Sequence, residues 1–206
     1  MALLGLRGCA GEERQTQLSL KYDRCEVMAT KTSTLRWELG GIAFIVVLGS
    51  VLHFAFEWSG RSTAVAPIAA VNESVWEHLK LGFWPALVYA ALEYGRFGKS
   101  SDNFPFAKTL GIYLIPITIV VLFYLYTAIL GQDLLILDIA IFVVAVIVGQ
   151  LVSYKLLISS PLPASLNRFA PIALAVLGVL FVLFTFYTPQ LSVFRDPVTG
   201  GYGVVG

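Results

Sequence analysis

Charge is scarce in this chain. Only 13% of its 206 residues are Asp, Glu, Lys or Arg, about half the share of an ordinary soluble domain. The two signs nearly cancel, leaving a formal net charge of +1, so the basic surplus that binds a nucleic-acid backbone is missing. Cysteine occurs twice, at Cys9 and Cys25, without the spacing of a disulfide framework or a thiolate zinc site. Histidine also occurs twice, at His53 and His78, and neither an HExxH pattern nor a P-loop is present. Ser50, Ser59 and Ser74 sit in no nucleophile elbow, which leaves acyl-transfer chemistry without its usual start.

What the chain has in excess is apolar length, with 57% of its residues hydrophobic. Five runs stand out: Leu39–Trp58, Val75–Tyr94, Phe106–Leu130, Leu134–Ile158 and Phe169–Tyr187. Each is near the roughly 20 residues that cross a hydrocarbon core as a helix. None alternates with the two-residue period of a barrel strand. Pro85, Pro116 and Pro171 fall inside runs, which membrane helices tolerate. The expected fold is an all-α bundle of five transmembrane helices in the cell membrane, multi-pass, with the lipid bilayer as its main partner and no nucleic acid.

Residues 1–35 are polar and aperiodic and read as a disordered cytoplasmic tail, with Met28 as an alternative start of the natural protein. Residues 36–188 form the membrane domain, and 189–206 a turn-rich tail outside. Near the membrane, Lys31, Arg36, Arg96, Lys99, Lys108, Lys155 and Arg168 fall on one side, and Arg61 and Arg195 on the other. Positive residues favour the cytoplasm, which puts the N terminus inside and the C terminus outside. Trp37, Trp58, Trp76, Tyr94 and Tyr187 lie near run ends, as interfacial aromatics do.

That topology gives the stretch "VNESVWEHLK" an address. The first run reaches His53 shortly before its outer end, and the second reaches His78 shortly after its outer start. Asp138 begins the fourth run at a similar level, roughly 7 Å below the boundary at about 1.5 Å per residue. Ionisable groups at membrane depth mark functional sites. Imidazole and carboxylate from separate helices suit zinc or another divalent ion, so His53, His78 and Asp138 are the expected ligands. Glu73 and Glu77 are the candidates for a catalytic base toward metal-bound water.

Plainer readings stand beside this one. Asn72 suits an N-cap, Glu73 complements a helix dipole, and Glu57, Glu77 and Lys80 can reach the interface from their helices. The layer also fits a hydrogen-bonded cluster that only locks helices together, as in a structural subunit, a homo-oligomer or a partner in a membrane complex. It equally fits a proton or cation path in a small transporter. Two small-residue stripes, Gly41–Gly49 on the first run and Gly82–Ala86–Ala90 on the second, are expected to pack the first two helices on each other.

"NESVWEHLK" followed by "FWP", a preceding helix with a histidine, and a terminal "DPVTGGYG" resemble an uncharacterised family of small prokaryotic multi-span membrane proteins. The likeness covers the chain from about Leu39 onward. It implies an integral membrane protein and carries no assigned activity.

Overall fold

The apolar runs fold as helices because nothing inside them competes: in a dry environment only intrahelical hydrogen bonds satisfy the backbone. A computed structural model describes residues 3–98 and 101–204. Five long helices follow in order: α1 (Leu3–Trp58), α2 (Val75–Phe97), α3 (Phe104–Leu130), α4 (Leu135–Leu157) and α5 (Ala164–Phe186). A 3-10 turn, Ser192–Phe194, lies in the tail. Lys99, among the charges that set the expected orientation, is outside the described residues, as are the side chains of Cys9 and Cys25.

The chain divides into two units, residues 1–37 and 38–206. The upstream polar stretch, expected to be irregular, is helical from Leu3 onward. No proline occurs before Pro67, and Glu, Gln, Lys and Arg are fair helix formers.

In the second unit the usual inside and outside are exchanged. Val47 and Val51 on α1, Val121 and Leu125 on α3, and Val176 and Val179 on α5 are exposed, whereas Glu38, Glu77, Lys80, Glu93 and Lys108 are buried. Exposed apolar stripes around buried charge are the arrangement a lipid surround favours. Four helices, taken over Lys31–Trp58, Phe104–Leu130, Leu135–Leu157 and Ala164–Phe186, are long and apolar enough to cross a membrane and suggest a multi-pass membrane protein.

The five expected helices are present, and by length and composition alone α2 is too polar to count with the other four. It nevertheless runs antiparallel beside α1. Gly41 lies against Tyr89, Gly49 against the Leu81 carbonyl and His53 against His78, so each step forward on α1 is matched by a similar step back on α2. So α2 runs alongside α1, with Glu77, Lys80 and Glu93 buried and in ion pairs.

The small-residue stripes behave differently from each other. Gly49 does face α2, but Gly82 does not face α1, since a Cβ there would meet Ile115 of α3 at 2.5 Å. A close backbone crossing also joins α3 to α4. A Cβ on Gly149 would stand 2.5 Å from the Gly111 carbonyl oxygen, and one on Gly111 2.8 Å from that of Gly149. Backbone atoms cannot step aside, so Gly149→Leu should lower stability in detergent by about 1–3 kcal/mol, the usual cost of overpacking. Gly95→Leu, where nothing lies within 4 Å, serves as the control. Equal unfolding midpoints for the two variants would rule out this crossing.

Polar side chains tie the ends of the bundle. Asn103 donates to the Leu156 and Ser160 carbonyls, both at 3.0 Å, and accepts from Leu162 N at 2.8 Å. It thereby fixes the start of α3 to the turn between α4 and α5. Helix α5 begins five residues before its apolar run because its first turn is polar: Asn167 accepts from Phe106 N at 3.1 Å.

Candidate metal centre

The segment between α1 and α2 carries Glu73, and it is fastened from below. Lys80 donates to the Ala66 carbonyl at 2.9 Å, and Trp84 Nε1 to the Pro67 carbonyl at 3.0 Å. Ala66 and Ala69 pack on Phe56 together with Val65, Val71 and Val204. Asn72 is not the N-cap. Its Oδ1 accepts from Ser74 N at 2.9 Å and its Nδ2 donates to the Gly203 carbonyl at 2.9 Å, while Ser74 caps α2 through Oγ and Glu77 N. The C-terminal tail therefore folds back onto this segment, with Phe194 buried against Trp76. Arg195 takes no part in an ion pair with Glu57, which meets Arg61 at 3.0 Å.

These ties bring three side chains together. His53 Nε2 and His78 Nε2 are 3.3 Å apart, and Glu73 Oε2 lies 3.4 Å from His78 Nε2 and 3.8 Å from His53 Nε2. His78 Nδ1 is 2.9 Å from the Ser74 carbonyl. A carbonyl only accepts, which assigns a proton to Nδ1 and, in the neutral ring, leaves the Nε2 lone pair facing the cluster. A backbone partner of this kind orients metal-binding imidazoles. Side-chain exposures of 30% for His53, 32% for His78 and 49% for Glu73 leave the cluster open on one side.

When His78 is protonated its Nε2–H donates to Glu73. That hydrogen bond chiefly, with the charges of His78 and His53 behind it, holds the Glu73 carboxyl below its usual 4.5, while partial burial works the other way. A carboxyl lowered on folding stabilises the protein above its ordinary value and loses that contribution as pH falls through the lowered one. The cluster thus prefers to enclose positive charge, whether proton or cation.

Two expected members are elsewhere. Glu77 is buried and turned away, its Oε2 2.5 Å from Lys80 Nζ and 3.0 Å from Val71 N. Adjacent helical positions differ by about 100°, and with His78 in the cluster Glu77 faces α5, where Thr185 binds Lys80 Nζ at 2.9 Å. It is not placed as a base for that cluster. Asp138 accepts a 2.5 Å hydrogen bond from Tyr126 Oη and is not among the three grouped ligands. Its charge still acts on His78 from the next layer.

A model of the "Family of unknown function (DUF6512)" matches residues 27–204. The chain belongs to this family. No curated protein and no solved structure matches it. Membership in DUF6512 thus agrees with the uncharacterised family that the sequence resembles and adds no activity.

Sequence reasoning missed a second polar group. Glu38, Glu93 and Lys108, from α1, α2 and α3, meet in the interior with Ser153 of α4. Each lies within two turns of a run's end and so reads as an interfacial charge. Opposite charges at equal depth on neighbouring helices were the available signal.

Proposed function

We propose that His53, Glu73 and His78 hold one divalent first-row ion, best matched by zinc, in a multi-pass membrane protein. The observation that carries this is spacing. Bonds of about 2.0–2.1 Å at tetrahedral angles set ligand atoms about 3.3–3.4 Å apart, against separations of 3.3, 3.4 and 3.8 Å here. Two histidines and one carboxylate with a fourth position open to solvent is a donor set that activates water. Hydrolysis of a substrate reached at the membrane face is the chemistry such a centre serves. Glu73 enters as ligand in place of Asp138, and no buried base adjoins it.

Detergent-purified protein loaded with zinc and dialysed should retain about one ion per chain by elemental analysis. Less than a tenth of that under every loading condition removes the proposal.

The charge distribution supports a reading with this centre on the outer face. In a background with Cys9 and Cys25 changed to serine, Ser192→Cys should react with an impermeant thiol reagent in intact cells and Asp102→Cys should not. The opposite pattern would put the centre on the cytoplasmic face.

A further inference from the structure

Lys108 Nζ lies 2.6 Å from Glu38 Oε1 and also meets Glu93 Oε2. Glu38 and Glu93 are 0% and 1% exposed, and Lys108 is 4% exposed. The two carboxyl groups share one ammonium, so these oxygens are no farther apart than two hydrogen bonds, about 6 Å. Ser153 Oγ donates to Glu38 Oε1 at 2.9 Å, yet Glu38 Oε2 and Glu93 Oε1 have no hydrogen-bond partner. Among the described residues the other titratable neighbour is Tyr89 of α2, which bears a hydroxyl. Gln150 of α4 contributes only an amide, toward the Glu38 carbonyl.

Fully ionised, the group would carry one uncompensated negative charge in a sealed apolar interior, which is far costlier than neutralising it. The neighbours just named supply hydroxyls and an amide but no second cation. We infer that Glu38, Glu93 and Lys108 form a proton-binding site, in which the two carboxyl groups hold one proton between them at neutral pH. Binding takes a proton from water onto a carboxylate oxygen, turns the group's net charge from minus one to zero, and supplies the O–H donor that the orphan oxygens lack.

Exchange with water has a short route. Lys108 lies four residues inside the start of α3 and Glu93 four residues before the end of α2, each about 6 Å from a helix end. The site is separate from the metal centre. Glu38 and His53 are fifteen residues apart on α1, as are His78 and Glu93 on α2, a distance of about 22 Å along both helices.

Infrared spectroscopy reads such a proton directly. The wild-type protein at neutral pH should show the C=O stretch of a carboxylic acid that shifts in D2O and disappears on alkaline titration. Glu38→Gln and Glu93→Gln should each abolish it, because either leaves one carboxylate for one ammonium and no need of a proton. Glu77→Gln and Asp138→Asn should keep it. Absence of the band from the wild type overturns the inference without recourse to any variant. So does its removal by Glu77→Gln or Asp138→Asn while Glu38→Gln and Glu93→Gln retain it.

Discussion

His78→Ala should release the zinc that the wild-type protein retains, with affinity falling by more than 100-fold. Changes to groups that merely orient a ligand cost about 10–100-fold, and His78 is more than that: its Nε2 is the atom nearest both other ligands, at 3.3 and 3.4 Å. Its loss leaves His53 and Glu73, separated by 3.8 Å, as a two-point site on a half-exposed surface. Competition against a chromophoric chelator would measure the change, with elemental analysis after dialysis as the count. Asp138→Asn should leave the stoichiometry intact because Asp138 is engaged by Tyr126. Glu77→Gln should keep the zinc while weakening the fold through the Lys80 pair. Full zinc retention by His78→Ala would mean the ion binds somewhere else.

The second large effect concerns stability. Lys108→Met should cost about 3–5 kcal/mol, the usual result of taking one partner from a buried ion pair. Both Glu38 and Glu93 would then lose the cation they share, and α1, α2 and α3 would lose the atom on which they converge. The triple variant Glu38→Gln, Glu93→Gln, Lys108→Met should recover most of the loss, since no charge is left to neutralise. Denaturant unfolding in micelles would compare the three proteins. A triple variant no more stable than Lys108→Met alone would show that the cost arises from lost packing of the lysine stem.

Where the sequence was informative, one-dimensional counting was enough. Apolar length located the helix ends to within about five residues except the start of α1, which lies far upstream of its apolar run, and residue counts from the ends of α1 and α2 placed His53 and His78 at one level. Counting gives depth but not direction around the axis. Asp138 points to Tyr126, and the buried small and polar positions of α4, Gly149, Gln150 and Ser153, lie well along the helix from it, so nothing in the sequence near Asp138 marks an inner face. Glu77 was separable from His78 by helical angle alone, but which of the two would face α1 depended on where α5 packs. Glu38, Glu93 and Lys108 required knowing which helices are neighbours. Composition likewise made α2 a weak membrane span, because it cannot register that Glu77 meets Lys80 on the same helix and Glu93 meets Lys108 on another.

The tie between Asn72 and Gly203 spans 131 positions. Chains emerge from the ribosome at about 5–20 residues per second, so the segment bearing Glu73 waits on the order of ten seconds for the strand that pins it. Until then Val204 is missing from the cluster around Phe56, and Phe194 from its place on Trp76. A nascent chain therefore owns both histidines long before it owns a fixed third ligand. A centre built on Glu73 would mature only after the tail around Gly203 is made, not with the insertion of the helices that carry the histidines.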